Sequence, residues 1–204
     1  IMIMEWKCYE EEYAKGDKQF VCGVDEAGRG PLAGPVYVAA VIMPRGTVIE
    51  GINDSKKITP KKREYLFDII CDKAVSYKIE SVQVEEIEKL NILNATLLGM
   101  KRGIENLNPV PDVALIDGNV LPQTHIESHT IVKGDAVCYS IACASILAKV
   151  SRDRFMIEIS KKYPMYGFDK HKGYGTKQHI EMIKKYGVCP IHRKSFLRKI
   201  LNGE

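Results

Sequence analysis

Apolar and polar residues follow one another along the chain in blocks that predict both strands and helices. Two apolar runs, residues 20–26 and 35–43, predict neighbouring strands joined by a turn rich in glycine and proline. The prolines of that turn favour an antiparallel pair. Residues 74–84 and 113–117 predict two more strands, and the segment from 122 to 133 is expected to be extended.

Helical periods fill most of the remaining chain. Thr59 followed by Pro60 is a good helix start, as N-cap and first-turn proline. The three/four spacing of apolar residues predicts one amphipathic helix over 85–107. The first half of a long helix over 136–163 is almost wholly small and apolar, so it should be buried. The other predicted helices are 60–73, 177–186 and 193–201, with a short helix or arm within 1–19 to which no chemistry is assigned.

The 204 residues suit one domain, which we divide into a core of about 20–160 and a basic helical lobe of about 161–204. No apolar run is long enough to span a bilayer, and the first residues lack the pattern of a signal peptide. We therefore expect a cytoplasmic protein. The cysteines form no C-x-x-C pair and are interpreted as reduced packing residues: Cys8, Cys22, Cys71, Cys138, Cys143 and Cys189.

The net charge of +4 hides an uneven distribution. Residues 149–199 carry 14 Lys and Arg against four Asp and Glu, whereas the remaining chain carries 16 against 22. A basic third beside an acidic body indicates a polyanion bound at one end, although a solvated helical surface explains such a run equally well. Five basic residues between 56 and 63 have the same two interpretations.

Three strand-like segments each end in an acidic residue beside glycine. They supply Asp25 and Glu26, then Asp117, then Asp135. A solvated turn or a helix cap explains each position alone. If the sheet brings the segment ends together, four carboxylates meet, and a cation must neutralise them. Oxygen ligands without His or Cys select Mg²⁺ or Mn²⁺, and such a cluster suits two-metal phosphodiester hydrolysis.

Other phosphate-binding and hydrolytic motifs are missing from the sequence. There is no P-loop pattern, and the glycines around Gly28 have the wrong spacing for a dinucleotide fold. Ser145 lacks the G-x-S-x-G setting of a hydrolase nucleophile. The acidic cluster therefore remains the main candidate for catalysis.

Several blocks, in order from about residue 20 to 197, together resemble bacterial ribonuclease HII, the type 2 ribonuclease H. The opening block, Asp25-Glu26-Ala27-Gly28-Arg29-Gly30-Pro31, is the most specific of them. The others are Asp54-Ser55-Lys56-Lys57, Ile116-Asp117-Gly118, Lys133-Gly134-Asp135, Ala144 to Asp153, His171-Lys172-Gly173-Tyr174 and His192 to Phe196. Gly175 departs from the family, in which proline is common at that position.

The resemblance implies an α/β fold, a ribonuclease H-like mixed sheet flanked by helices, with a small helical C-terminal lobe. It implies a monomer that hydrolyses the RNA strand of RNA–DNA hybrids and incises duplex DNA on the 5′ side of single ribonucleotides. It further implies metal-binding catalytic acids at Asp25, Glu26, Asp117 and Asp135. Substrate binding is assigned, on the same resemblance, to Gly28, Arg29, Gly30, Lys56, Ser145 and Tyr174.

Within this assignment, the backbone of residues 28–30 reads the ribose 2′-hydroxyl, and Tyr174 stacks on the sugar after the ribonucleotide. The 2′-hydroxyl is the group that distinguishes RNA from DNA at a single position. Asp153 is interpreted as an ion-pair partner and not as a ligand. Two alternatives remain at this point: a duplex-binding module without activity, which the intact carboxylates disfavour, and a small-molecule phosphatase, which would not need the basic lobe.

Overall fold

The structure is a computed structural model that describes residues 6–7 and 9–202, and for residues 199 and 202 it describes the backbone alone. The prediction for Cys8 lies outside the described residues. The strands are β1 Val21–Ala27, β2 Val36–Ile42, β3 Ser76–Val82, β4 Val113–Asp117 and β5 Glu127–Ile131. The helices are α1 Tyr9–Tyr13, α2 Pro60–Lys73, α3 Val84–Leu90, α4 Ile92–Glu105, α5 Gly134–Val137, α6 Tyr139–Lys162, α7 Phe168–His171, α8 Lys177–Tyr186 and α9 Lys194–Asn202, with a 3₁₀ turn at Pro164–Tyr166.

One mixed sheet forms the centre of the fold, with the strand order β3-β2-β1-β4-β5. The first two strands pair antiparallel, as the proline-rich turn predicted. The pairs β1–β4 and β4–β5 are parallel. Because β1 and β4 are parallel neighbours, their carboxyl ends lie at the same edge of the sheet. This edge carries the residues that follow Val24 and Ile116, which are paired in the register.

Helices cover both faces of the sheet. The buried first half of α6 packs on β1 and β2, as the sequence predicted, and α4 covers the other face. The contact between β1 and α6 requires a glycine, because a Cβ atom at Gly23 would lie 2.2 Å from the carbonyl carbon of Ser140. This close approach brings the start of α6 directly over the strand that carries Asp25.

Two predicted helices are interrupted. Residues 85–107 form α3 and α4 because Asn91 adopts a positive φ of 69°, which ends the first helix. Its side chain then caps the second helix by accepting from the N–H of Asn94. The long helix begins at Tyr139 and not at Ala136, because Cys138 is extended and separates α5 from α6. The predicted start of α2 is confirmed, with Thr59 accepting from the N–H of Lys62.

The N-terminal arm supplies the cap of α6. Oε1 of Glu10 accepts a hydrogen bond from the N–H of Ser140 at 2.7 Å. Cys138, at the N-cap position of α6, makes no side-chain cap bond of its own. A carboxylate at this position satisfies a free N–H group and interacts favourably with the helix dipole. The arm therefore stabilises the helix that packs over the central strand.

We expect Glu10→Ala to lower the free energy of unfolding by about 1 kcal/mol, the usual effect of losing a helix cap. Urea unfolding followed by circular dichroism measures this change. Glu12→Ala is the matched control, since Glu12 lies on the same short helix with an exposed side chain. Equal effects of the two substitutions would contradict the capping role.

The C-terminal segment packs against the turn that follows β1. Its apolar cluster includes Phe168, Ile183 and Leu197 together with Ala33 of the turn. Backbone hydrogen bonds join the two parts, from Leu32 N–H to the carbonyl of Gly173 and from Gly34 N–H to that of Ile191. Within the described ranges, no helix is both long and apolar enough to cross a membrane.

Candidate active site

The four predicted acids line one cavity, with a volume of about 450 Å³, at the carboxyl ends of β1 and β4. Asp25 and Glu26 are the fifth and sixth residues of β1, and Asp117 is the last residue of β4. Asp135 lies in α5, just after the neighbouring strand β5. The convergence predicted from three acid-ending segments is therefore present in the structure.

Burial and mutual repulsion act on these carboxyl groups. Burial raises the pKa of Asp25 well above its usual range, and the charges of Glu26 and Asp117 raise it further. Burial also raises the pKa of Glu26, against the opposing effect of Arg29. The pKa of Asp117 is raised by burial and then by the charge of Asp135. The cavity thus holds more negative charge than its protein surroundings compensate.

Each carboxylate has some protein partner. Nη1 of Arg29 lies 3.4 Å from Oε1 of Glu26, and Nζ of Lys56 lies 3.4 Å from Oδ2 of Asp135. Oδ1 of Asp117 accepts from the N–H of Gly134 at 2.6 Å. With the side chains so arranged, no three His, Cys, Asp or Glu residues in the described part of the chain form a cage ready to hold an ion.

The donor set itself fits a hard divalent cation. It consists of carboxylate oxygens without His or Cys, which is the chemistry that Mg²⁺ and Mn²⁺ prefer. The raised pKa values of Asp25, Glu26 and Asp117 also show that added positive charge would relieve repulsion in this cavity. Arg29 and Lys56 are largely exposed long side chains and can turn away from the carboxylates.

Lys56 and Ser145 both line the cavity, but in different settings. The side chain of Lys56 is 82% exposed and reaches the acids from the loop before α2. Ser145 is buried in α6, where its hydroxyl is 2.9 Å from that of Ser55 and hydrogen-bonds the carboxyl group of Asp25. Ser145 therefore contacts a catalytic candidate directly, and its assignment to substrate binding stays a prediction.

Residues 28–30 also line the cavity. Gly28 has a φ of 96°, a conformation that favours glycine, and a Cβ atom there would lie 2.0 Å from Nε of Arg152. No protein acceptor is seen for the N–H groups of Gly28, Arg29 and Gly30 anywhere in the ranges that the structure describes. These N–H groups are free to donate to a ligand in the cavity.

Buried Arg193 holds this loop through its carbonyl groups, and buried Arg152 holds the turn that follows it. Arg193 donates to the carbonyl oxygens of Gly28, Arg29 and Gly34 at 2.6 to 2.9 Å. Arg152 donates to those of Ala33, Pro35 and Lys172 at 2.9 to 3.1 Å. The carbonyls of Gly28 and Arg29 are thus held by Arg193, while the N–H groups of residues 28–30 have no acceptor in the described part of the chain.

The sequence did not reveal these two roles. Arg152 and Arg193 were counted in the basic C-terminal third, interpreted as a polyanion contact or a solvated surface, yet they are 1% and 0% exposed. Only their position inside the blocks that resemble ribonuclease HII indicated that they have a specific role. The prediction that Asp153 is an ion-pair partner is confirmed. Asp153 pairs with Lys149 at 2.8 Å and lies outside the acidic cluster.

Tyr174 stands at the rim of the same cavity, next to the glycine loop. Its ring would be 3.8 Å from a Cβ atom at Gly30, and the side chain is exposed enough to meet a ligand. The guanidinium carbon of Arg152 lies 5.9 Å from the ring centroid. The structure therefore brings Tyr174, the free N–H groups and the four acids to one cavity, as the sequence predicted.

The fold and this site define a class of protein. The crystal structure of ribonuclease H2 from Pyrococcus horikoshii superposes with a TM-score of 0.77 and 28% identity, covering 91% of this chain and 98% of that one. A crystal structure described as Bst-RNase HIII in complex with Mn²⁺ shares the fold, with a TM-score of 0.66 and 17% identity over 88% of this chain and 65% of that one. The mixed sheet flanked by helices is that of the ribonucleases H of type 2.

Sequence comparisons narrow this class to one family. Residues 22–199 match the family model of ribonuclease HII. A ribonuclease HII of Caldicellulosiruptor bescii is 58% identical over 193 residues, which are 95% of this chain and 94% of that protein. The chain therefore belongs to the ribonuclease HII family and is a ribonuclease H enzyme. The alternatives of an inactive binding module and a small-molecule phosphatase are excluded by this membership.

Proposed function

We propose that the protein hydrolyses the RNA strand of RNA–DNA hybrids and incises duplex DNA on the 5′ side of single ribonucleotides. Cleavage would leave a 3′-hydroxyl and a 5′-phosphate. The family membership supports the first activity. One observation supports incision at single ribonucleotides. The four acids, the unpaired N–H groups of residues 28–30 and Tyr174 all line one cavity.

Asp25, Glu26, Asp117 and Asp135 would hold Mg²⁺ or Mn²⁺. When bound, a pair of such cations supplies activation of the attacking water and stabilisation of the leaving oxygen. The four carboxylates converge on this cavity, and the pKa values of Asp25, Glu26 and Asp117 are raised by burial and then by neighbouring carboxylates. The Mn²⁺ complex of the ribonuclease HIII relative is consistent with this choice of ion.

The chain's own groups would provide the selection for RNA. A 2′-hydroxyl can accept from the N–H groups of the 28–30 loop only at close range, and glycines on both sides of Arg29 permit that approach. Tyr174, on the same rim, would stack on the sugar that follows the ribonucleotide. Lys56, exposed beside the acids, would contact a phosphate of the backbone.

Three labelled duplexes test the proposal: DNA with one ribonucleotide, a continuous RNA–DNA hybrid, and DNA alone. With Mg²⁺ or Mn²⁺ we expect one cut on the 5′ side of the single ribonucleotide, several cuts in the hybrid RNA and none in the DNA. Mapping of the product ends checks the 3′-hydroxyl and the 5′-phosphate. Cleavage of the hybrid without incision at the single ribonucleotide would refute the second activity, and no cleavage of either would refute both.

A further inference from the structure

Three histidines form a stacked group behind Tyr174. His171 ends α7, His179 lies in the first turn of α8, and His192 precedes α9. The rings of His171 and His179 are stacked with centroids 4.4 Å apart, and His179 and His192 are 5.2 Å apart. His179 and His192 are 0% and 2% exposed and do not line the acidic cavity. The proposed catalytic chemistry therefore does not use them.

Fixed backbone groups determine the direction of the hydrogen bonds between these rings. The N–H of Cys189 donates to Nδ1 of His192 at 2.9 Å, so this Nδ1 carries no proton. In a neutral ring the proton is then on Nε2, which donates to Nε2 of His179 at 3.1 Å. His179 must in turn carry its proton on Nδ1, which donates to the carbonyl oxygen of Tyr174 at 2.9 Å. The result is one directed chain that ends on the backbone of Tyr174.

This chain of hydrogen bonds connects two segments that face the cavity. At one end it fixes the main chain of Tyr174, whose ring lies beside Gly30. At the other end is His192, directly before Arg193, which holds the carbonyls of Gly28 and Arg29. The two histidines therefore link the tyrosine to the glycine loop, in addition to the bonds from Leu32 to Gly173 and from Arg152 to Lys172.

We propose that His179 and His192 are positioning residues that hold Tyr174 against the 28–30 loop and so set the preference for single ribonucleotides over continuous hybrids. This inference rests on the proposed function. A single ribonucleotide offers one ribose followed by a deoxyribose, so the tyrosine must stand at that junction. A continuous hybrid offers a 2′-hydroxyl at each step and depends less on the tyrosine.

The surroundings keep both rings uncharged at neutral pH. Burial, together with the neighbouring imidazoles, lowers the pKa of His179 and of His192 to about 4. The titratable and charged groups around the pair are His171, Tyr166, Cys189, Asp169 and Lys172. A proton added to either ring would place one N–H group against another. The chain of hydrogen bonds therefore requires that His179 and His192 both be neutral.

The test compares His179→Asn with His179→Phe in the full chain. Asparagine keeps a donor near the position of Nδ1, whereas phenylalanine fills the space of the ring and donates nothing. The measured quantity is kcat/KM for a single-ribonucleotide duplex divided by kcat/KM for a continuous hybrid, because the folded fraction cancels in this ratio. We expect His179→Phe to lower the ratio about tenfold, the effect of one lost hydrogen bond, and His179→Asn to change it less than about twofold.

The proposal is overturned if the two variants lower the ratio equally or if neither lowers it. Nitrogen-15 NMR of the unchanged protein gives a second measurement that does not depend on folding of a variant. We expect His179 protonated on Nδ1 and His192 on Nε2 at neutral pH, and the opposite tautomers would overturn the proposal. If the unchanged protein cuts neither substrate, the proposed function fails instead, and the tautomers alone decide the histidine assignment.

Discussion

Replacing Asp117 by asparagine is expected to lower kcat about 1,000-fold or more, while duplex binding stays within a few-fold of the unchanged protein. The substitution removes one of four negative charges that would hold the cations, and a loss of about 4 kcal/mol of transition-state stabilisation corresponds to that factor. Asparagine keeps an Oδ1 atom that can accept from the N–H of Gly134, so the start of α5 should not move. Single-turnover cleavage and a binding titration measure the two effects.

Asp112→Asn is the matched control for this substitution. Asp112 immediately precedes the opposite end of β4 and accepts from the N–H groups of Gln19 and Phe20, away from the cavity. We expect it to retain nearly full cleavage activity. Full activity in Asp117→Asn would refute the assignment of Asp117 as a ligand.

Asp25→Asn should abolish cleavage and, without divalent ions, raise the thermal stability of the protein. Burial and neighbouring carboxylates raise the pKa of Asp25 from its ordinary value of 3.8, so folding disfavours its charged form. Asparagine has no charge to bury and keeps an oxygen for the N–H of Glu26. For a chain of this size, a gain of about 1 kcal/mol raises the melting temperature by about 2–4 °C.

The sign of the pH dependence follows from the raised pKa. The folded protein binds the Asp25 proton more tightly than the unfolded chain, so this group contributes a stability that decreases as pH rises from 3.8 through the raised value. The stability difference between Asp25→Asn and the unchanged protein should therefore be small near pH 4 and largest at neutral pH. Denaturant unfolding in a chelator across this range measures it.

Added Mg²⁺ should reduce this difference, because cation binding stabilises the folded state with all four carboxylates more than the variant. Asp112→Asn is a contrasting control, since hydrogen bonds from Phe20 and Gln19 lower the pKa of Asp112. That substitution should reduce stability at neutral pH. A variant at Asp25 that is less stable than the unchanged protein at neutral pH in chelator would contradict the unfavourable burial of its charge.

Local signals predicted the elements of the fold well where one residue type decides the geometry. Thr59 and Pro60 marked the start of α2, and the prolines of the turn after β1 marked an antiparallel pair. The break at Asn91 was missed because apolar residues recur at helical spacing on both sides of it. The cap from Glu10 was missed because its acceptor and donor are 130 residues apart in sequence.

The candidate site was likewise predicted from the sequence only in part. The recurring strand, acid and glycine pattern predicted a meeting of Asp25, Glu26, Asp117 and Asp135 if the sheet joins the segment ends. The parallel pairing of β1 with β4 is what joins the first three. The sequence could not distinguish a buried arginine from an exposed one, so Arg193 was only counted in the basic C-terminal third, whereas its partners are backbone carbonyls. The hydrogen bonds between His179, His192 and Tyr174 could not be predicted either, since they depend on how separate helices pack.

The hydrogen bond from Arg193 to Gly28 spans 165 residues of sequence. During synthesis the glycine loop leaves the ribosome long before the guanidinium that fixes its carbonyls, which is added 165 residues later. A nascent chain can thus assemble its central sheet and acidic cavity before the loop is held in place. The proposed selection of RNA would then be acquired only after Arg193 has been added, so a shorter nascent chain would lack the fixed loop proposed to read the ribose.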